Sequence, residues 1–357
     1  MRIRLQQRSR VSPLAEAGVL AVALAASALV GAIVFAAAGA PPLASLAVLV
    51  TEPFGSAFGI SETLVKAVPL GFCALAVALA LKVDLWNIGA EGQLFMGALG
   101  ASWAALYAPP VPGPLRIPFA LLCGAAAGAL WALLPGVLRT WGRVSEILST
   151  LLLNYVAIAW VEMLVYGPWK GEDRFPYTAF FDEGFWLPVL FRRVHGGILL
   201  LVGLAVILAW IERRTVVGYE VRVVGASPAL ARYAGLPVAA RLLAVMAAAG
   251  ALGGLAGACE VLGVQHRLHA QVSPGYGYTA IIVAFLARRD LLASVVVAVL
   301  FAALAVGGDG LPAASPALSP SIVKVFQGVL LLLVLSGGVL ARYRVVVERT
   351  RPAGEGA

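Results

Sequence analysis

Ten apolar stretches run through nearly the whole chain, and several are long enough to cross a lipid bilayer. The hydrocarbon core of a bilayer is about 30 Å thick, and a helix needs about 20 mainly apolar residues to cross it. Backbone polar groups at that depth need partners within the protein, which helices and closed barrels alone provide. Continuous apolar runs favour helices, so the sequence predicts an all-α, polytopic membrane protein with about ten transmembrane helices.

Some of these stretches are too short to cross the bilayer as straight helices. We expect Val68–Leu81 and Tyr278–Ala287 to be extended by neighbouring residues or to belong to interrupted helices. The remaining stretches are Gly18–Ala38, Leu94–Tyr107, Ile117–Leu138, Ile147–Tyr166, Gly197–Ile211, Arg241–Gly263, Leu291–Val306 and Val323–Leu340.

The composition supports lipid as the main solvent. Apolar residues make up 61% of the 357 residues and charged residues only 12%, against about 45–50% and about 25% in soluble domains. The net charge is +8, but the basic residues cluster between the apolar runs. That placement fits an anionic inner leaflet better than nucleic acid, so we expect a lipid membrane and no nucleic-acid partner.

The basic residues also predict the orientation. With the N-terminus inside, the inner segments hold 18 basic residues: four at the N-terminus, five in 213–241, four in the C-terminal tail and five in shorter turns. The outer segments hold seven. This asymmetry predicts cytoplasmic termini and an even number of spans in the cell (inner) membrane. We therefore expect a cytoplasmic segment at 1–17, a membrane domain at 18–340 with a long inner loop at 212–240, and a cytoplasmic tail at 341–357.

The sequence contains no constellation for catalysis or for a metal. Its three cysteines lie far apart within apolar stretches, and His266 and His269 have no acidic or thiol residue placed to complete a zinc site. No GxxxxGK[ST] motif occurs among the four lysines, so the chain is not itself a P-loop ATPase. We expect no enzymatic activity, no catalytic residue and no metal site.

Polar residues interrupt the apolar pattern most sharply at residues 87–93. Asn87, Glu91 and Gln93 stand there beside Gly89 and Gly92, which permit a broken helix or a close backbone approach. Polar groups at membrane depth are costly and often functional. We expect the three polar side chains to lie along a substrate path. The alternative is a short inner loop, in which Glu91 stabilises the first turn of a helix.

A second interruption occupies the corresponding place in the other half of the chain. Pro274, Gly275 and Gly277 break the apolar pattern there, next to Tyr276 and Tyr278. Paired Gly/Pro-interrupted segments indicate a binding site near the bilayer midplane in transporters. The two tyrosines are expected to face the path, or else to belong to an interfacial aromatic belt.

A third polar group lies inside an apolar stretch. Ser145 and Glu146 are typical of a helix start, and Asn154 follows two turns later. Asn154 either contacts the substrate path or joins neighbouring helices. As a path residue it would affect the transport rate more than protein abundance.

Four segments combine apolar runs with polar and glycine residues: NIGAEGQLFMGALGA (87–101), VSEILSTLLLNYVA (144–157), RTVVGYEVRVVGASPALARYAGL (214–236) and SPGYGYTAIIVAFLAR (273–288). Together they resemble the permeases of ABC importers for simple sugars and nucleosides, within the branched-chain amino acid and ribose permease superfamily. The resemblance covers about residues 60–340. It implies import of nucleosides or related sugars.

The same resemblance implies an assembly. Two permease subunits, the second a homologue of this chain, would form the path, and an external lipoprotein would deliver the substrate. A separate ATP-binding subunit would carry ATP and Mg²⁺, so this chain itself would hold no cofactor. The inner loop would contact that ATPase through Gly218, Tyr219, Glu220, Arg222, Gly225, Arg232 and Gly235.

Other transport functions remain open from the sequence. A proton-coupled secondary transporter would carry its proton on Glu91, Glu146 or Glu260 and would need no ATPase. An ABC permease for ribose or for branched-chain amino acids is a further alternative.

Overall fold

The computed structural model describes residues 2–7, 13–172, 175–315 and 343–348, and within 316–342 it describes 318, 319, 321, 322, 324–329, 332, 333 and 336. Half of the expected span Val323–Leu340 and most of the expected tail 341–357 therefore lie outside the described residues. The described chain is mainly helical, as the sequence predicts.

The helices follow one another with short connections. In chain order the elements are β1 (Arg2–Gln7), α1 (Pro13–Ala37), α2 (Pro42–Phe54), α3 (Ala57–Ala80), α4 (Ala90–Leu106), α5 (Arg116–Thr140), α6 (Glu146–Tyr166), β2 (Val189–Phe191), β3 (Val194–His195), α7 (Gly197–Arg214), α8 (Val216–Ala226), α9 (Pro228–Tyr233), α10 (Val238–Glu260), α11 (Tyr276–Leu286), α12 (Leu291–Ala314) and β4 (Tyr343–Glu348). A 3-10 turn, Leu81–Val83, extends α3, and a π-helical turn, Val261–Gln265, extends α10.

Five helices among the described residues are long and apolar enough to cross a membrane: Ala57–Val83, Gly113–Thr140, Glu146–Tyr166, Val238–Gln265 and Leu291–Ala313. Shorter apolar helices accompany them, including α11 with 11 residues. These helices identify a multi-pass membrane protein.

Two helices differ from the expected spans. The helix α3 begins at Ala57, well before the expected Val68, because Ser56 caps it by accepting the Gly59 N–H at 3.0 Å. Polar residues in its first half hide that half from a hydropathy pattern. The helix α2 was not expected at all. Pro42 starts it, since proline is well tolerated at the first helical position.

The chain divides into two compact units. Unit one contains residues 1–50 and 307–357, and unit two contains residues 51–306. In unit one, β1 pairs antiparallel with β4, so that Arg2 lies opposite Glu348 and Gln7 opposite Tyr343. This pairing holds the two terminal strands side by side.

Unit two is a bundle centred on α10, which packs against α3, α4 and α5. Glycines allow the closest approaches. A methyl group added at Gly97 or Gly128 would collide with the backbone of Gly254 on α10. Small residues at such contacts let helix backbones approach closely in membranes, where dispersion forces drive packing.

One end of this bundle, the α8 end, is held by ion pairs. Lys82 pairs with Glu212, and Arg213 pairs with Asp290 at 2.9 Å. The helix α8 rests on the last turn of α3, where Gly225 lies against the carbonyl of Lys82.

The opposite end carries a strap, residues 175–187, that lies along the segment after α10. The Thr178 N–H donates to Leu268 O at 3.1 Å, and the Leu187 N–H donates to Leu262 O at 3.0 Å. Arg116 at the start of α5 pairs with Asp182 of the strap at 2.8 Å. We call this the strap end.

Candidate functional site

Two helices of unit two begin inside the bundle, at the same place. The helix α4 starts at Ala90 and runs toward the strap end, where Tyr107 packs on Trp169 at 4.9 Å. The helix α11 starts at Tyr276 and runs the other way, ending near the α8 end. Its 11 residues rise only about 16 Å, roughly half of the hydrocarbon thickness. Both N-termini therefore meet within the bundle, where Glu91 of α4 contacts Gly277 of α11. We call this place the meeting point.

Glu91 joins the two starts. It lies in the first turn of α4, and its Oε2 accepts the Gly277 N–H of α11 at 2.6 Å. The carboxylate thus caps a helix other than its own and balances the positive end of that helix dipole. Gly277 has no room for a side chain, because a methyl group there would collide with the backbone of Glu91.

Asn154 of α6 forms hydrogen bonds with the α4 side of the meeting point. Its Oδ1 accepts the Gly92 N–H at 2.8 Å, and its Nδ2 donates to Ile88 O at 2.9 Å. The side chain is fully buried. One amide therefore satisfies a backbone donor in the first turn of α4 and an acceptor in the turn just before it. Interhelical joining, left open by the sequence, is the role that these contacts favour.

Asn87 and Gln93 pair with each other across the start of α4. Asn87 Nδ2 donates to Gln93 Oε1 at 3.0 Å, and Gln93 Nε2 donates to Asn87 Oδ1 at 2.8 Å. Both side chains are buried. These two hydrogen bonds between the amides fix the conformation of residues 87–93. Each amide keeps one further N–H hydrogen and one further acceptor site on its oxygen.

In the structure, the two helix breaks lie a few residues before Gly92 and Gly277, which the sequence pattern had assigned to the breaks themselves. Residues 84–89 and 266–275 are the nonhelical connections, with Gly89 preceding α4 and Gly275 preceding α11 at a φ of 104°. Pro274 lies in the second connection. The sequence had suggested that Gly92 and Gly277 interrupt helices, but neither does. They occupy first turns, where the lack of a side chain permits close contact.

The two tyrosines take different positions. Tyr278 is 37% exposed, and its hydroxyl lies 3.5 Å from Asn154 Nδ2. Tyr276 is partly exposed two residues earlier, at the start of α11. Tyr278 therefore borders the meeting point, and the buried amides and Glu91 form its interior.

Trp131 of α5 is a further member of the meeting point that sequence reasoning missed. Its indole Nε1 is buried and has no hydrogen-bond partner among the described residues. A methyl group on Gly92 would lie 3.2 Å from this nitrogen. A tryptophan within an apolar helix gives no sequence signal that separates it from ordinary packing.

The residues expected to contact a cytoplasmic partner divide into two groups. Tyr219 and Arg222 are exposed on α8, Arg232 is exposed on α9, and Gly235 is exposed just after α9. Glu220 instead forms an ion pair with Arg241 of α10, and Gly218 is buried against the end of α7. Gly225, described above, also faces the bundle. These three residues hold α8 in place, so they do not form its outer surface.

Tyr233 and Leu230 enlarge that outer surface. They are 95% and 66% exposed on α9. Both lie on the segment that the sequence places in the longest inner loop. An exposed apolar surface of this kind is typical of a protein contact.

All three histidines of the chain lie at the strap end. His195 is fully buried, and His266 stacks on Trp186 at 4.0 Å. His269 packs on Tyr177 and accepts from Arg267 Nε at 3.1 Å. Burial lowers the pKa of His195 to about 4, with a smaller contribution from His266. Among the residues that the structure describes, no three His, Cys, Asp or Glu side chains are grouped to hold a metal ion.

We expect acid to destabilise the strap end through His195. Its Nδ1 accepts the Gly197 N–H at 3.2 Å, and protonation of Nδ1 would break that bond. Because the pKa is lowered from 6.5 to about 4 in the folded protein, the stabilisation is complete above pH 6.5 and is lost as the pH falls toward 4. The loss amounts to about 3 kcal/mol. Thermal unfolding in detergent at pH 7.0 and 4.5 measures it.

The variant His195→Gln provides the comparison, since glutamine does not titrate. Its unfolding temperature should change less between the two pH values than that of the wild type. An equal change in both proteins would assign the acid sensitivity to other groups.

A model of the family described as branched-chain amino acid transport system / permease component matches residues 59–335. This range contains the whole meeting point, the strap and the α8 end.

Three curated relatives are similar to the chain over most of their length. A glucose ABC transporter permease protein (TsgB13) of Haloferax volcanii is 34% identical, over 98% of this chain and 95% of the relative. A guanosine ABC transporter permease protein (NupP) of Bacillus subtilis is 32% identical, over 79% and 82%. A nucleoside ABC transporter permease protein (NupB) of Lactococcus lactis is 30% identical, over 86% and 87%.

Proposed function

Because the chain belongs to the family of branched-chain amino acid transport system permease components, we propose that it imports nucleosides or related simple sugars with energy from ATP. It is a permease subunit of an ABC importer and a multi-pass membrane protein. Membership of this family favours ATP-driven import over the proton-coupled alternative.

The meeting of two helix N-termini inside the bundle is the observation that carries the proposal. Transporters commonly place their substrate site at discontinuous helices near the bilayer midplane. Irregular backbone at that depth is tolerated where protein covers it or where it lines a cavity. Asn87, Glu91, Gln93 and Asn154 supply that cover here, and Tyr276 and Tyr278 border it. These residues would shape the substrate path.

The substrate class follows from chemistry and from the relatives. The relatives are named as permeases for glucose, guanosine and nucleosides. These solutes are neutral and carry several hydroxyl groups, which need hydrogen-bond donors and acceptors along the path. Amides provide both, and the meeting point contains three of them, on Asn87, Gln93 and Asn154.

The pairing of β1 with β4 supports an even number of membrane crossings. Two strands that pair must lie on the same side of the membrane. Together with the 18 to 7 excess of basic residues, this favours both termini, 1–17 and 341–357, in the cytoplasm of the cell. Residues 18–340 would form the membrane domain, with 212–240 on the cytoplasmic side.

The α8 end would then dock the ATPase. Tyr219, Arg222, Arg232 and the surroundings of Gly235 are the exposed candidates for that contact. ATP and Mg²⁺ would be bound by the partner subunit, since this sequence has no P-loop. A second permease subunit would complete the path, and an external lipoprotein would deliver the solute at the strap end.

Reconstitution of the assembled importer tests the function. Vesicles should take up guanosine or glucose at least ten-fold faster with ATP and Mg²⁺ supplied to the ATPase side than with a nonhydrolysable analogue. ATP hydrolysis supplies the energy, so a pH gradient alone should give background uptake. The measurement is the initial rate of radiolabelled uptake, with leucine as the control for the branched-chain amino acid alternative.

Two results would contradict the proposal. Uptake driven by the pH gradient without ATP would favour proton coupling. Uptake of leucine and of neither hydroxylated solute would assign the chain to amino acids.

A further inference from the structure

Two polar side chains at the strap end of α10, the buried Glu260 and the partly buried Gln265, are left incompletely hydrogen bonded. Glu260 is only 6% exposed, and its Oε1 accepts from Gln265 Nε2 at 3.0 Å. The same amide nitrogen donates to Val272 O at 3.0 Å. Both hydrogens of the Gln265 amide are therefore used, which fixes its orientation. Glu260 Oε2 and Gln265 Oε1 have no hydrogen-bond partner among the described residues.

The backbone is arranged to hold this pair together. The π-helical turn Val261–Gln265 ends α10 and separates the two residues by five positions, the spacing of a π-helical hydrogen bond. Such turns are rare and occur frequently at functional sites. His266 follows with a φ of 54° and ends the helix.

The pair is directly connected to the meeting point. Val272, which receives the second amide hydrogen, lies within the nonhelical connection 266–275 that leads into α11. The helix α11 begins four residues after Val272, and the N–H of its second residue, Gly277, donates to Glu91. Residues 260–272 therefore connect the strap, which bonds to Leu262 and Leu268, with the start of α11.

The charges around the pair favour a neutral ligand. Lys66 and Arg193 are the positive groups that act on the Glu260 carboxylate, and they would oppose a metal or ammonium cation. The two unpartnered oxygens are acceptors and need hydrogen-bond donors. Two adjacent hydroxyl groups on one neutral molecule match this requirement.

We propose that Glu260 and Gln265 form a binding station for two neighbouring hydroxyl groups of the transported solute. Glu260 Oε2 accepts from one hydroxyl and Gln265 Oε1 accepts from the other. The station rests on the proposed function, and it adds a contact that the motifs at residues 87–93, 144–157 and 273–278 do not include. A ribose with its 2′- and 3′-hydroxyls and a glucose ring both present such a pair.

Paired solutes that differ by one hydroxyl test the station in the reconstituted importer. Guanosine is compared with 2′-deoxyguanosine, and glucose with 2-deoxyglucose, so that the two arms separate a ribose source from a hexose source. In Glu260→Gln an N–H₂ group replaces the acceptor Oε2. We expect the uptake of the fully hydroxylated solute to fall about ten-fold and that of the deoxy solute two-fold or less. The ratio between them should fall at least five-fold.

Using the ratio removes the contribution of the external binding protein, which is the same for wild type and variant. Glu162→Gln is the matched control, since it makes the same chemical change at an exposed position of α6 and should keep the wild-type ratio. Gln265→Met removes the second acceptor at similar length. It should lower the same ratio if Glu260→Gln does not fold.

The outcomes separate the station from the function. An unchanged ratio in the folded variants would show that the pair holds water or serves the fold only, and would overturn the station. ATP-dependent uptake of neither guanosine nor glucose by the wild-type importer would remove the proposed function, and the station with it.

Discussion

Replacing Gly254 by alanine should prevent most of the protein from folding. Gly254 lies where α10 crosses α4 and α5, and an added methyl group would collide with the carbonyl of Gly124 and lie close to Ala125. These neighbours are backbone atoms of a packed helix, so a side-chain rotation cannot relieve the collision. The helices would have to separate, at a cost of about 3 kcal/mol or more.

The loss would spread beyond one contact. Gly97 of α4 approaches Gly254 from the other side, so the same methyl group disturbs the seam of three helices. Fluorescence-detected size-exclusion chromatography of the detergent-solubilised protein measures the folded fraction. We expect less than a tenth of the wild-type monodisperse peak.

The matched control is Gly203→Ala on α7. No atom lies within 4 Å of a methyl group added there, and alanine is the better helix former. Its monodisperse peak should equal or exceed that of the wild type. Equal peaks for Gly254→Ala and Gly203→Ala would show that the seam is looser than its geometry indicates.

Replacing Asn154 by alanine is expected to have the second largest effect. The variant removes the partner of the Gly92 N–H and that of Ile88 O, both at the start of α4. A buried backbone group without a partner costs about 1–3 kcal/mol, so the two together cost about 2–6 kcal/mol. We therefore expect a lower folded fraction as well as at least ten-fold slower transport, whereas the sequence alone suggested little loss of abundance.

Thr150→Val is the control for this variant. Thr150 lies one turn earlier on α6 and is also buried, but its hydroxyl bonds only to the carbonyls of its own helix. Valine keeps the shape, so folding and transport should change little. Thermal stability and uptake per folded complex are measured for both variants. Wild-type stability of Asn154→Ala, with slow transport, would identify Asn154 as a path contact only.

The sequence predicted the class of fold because lipid leaves few alternatives. Apolar runs such as Ile117–Leu138 and Ile147–Tyr166 coincide closely with α5 and α6, since every residue facing lipid must be apolar. The first half of α3 escaped prediction because its polar residues face other parts of the protein. There, Ser61 accepts the Arg193 N–H at 3.2 Å and Glu62 pairs with the Arg193 guanidinium at 2.9 Å.

The candidate site was predictable as a set of residues but not as a set of contacts. Costly polar residues at 87–93 and 154 stand out in an apolar sequence, and the structure brings them together. The hydrogen bonds join residues that are 62 or more positions apart in the chain, as for Gly92 with Asn154 and Glu91 with Gly277. Local spacing carries no information on such pairs. For the same reason, the inward position of Glu220 was not foreseen.

The capping of both inner helix starts has a consequence for metabolite retention. Free helix N-termini are ready sites for phosphate, but Glu91 and Asn154 already occupy the backbone donors of Gly277 and Gly92. A phosphorylated sugar or a nucleotide would therefore find a carboxylate where it needs positive potential. The path proposed above would therefore repel a solute that is phosphorylated after import. The cell could thus keep its phosphorylated pool without a separate gate against leakage.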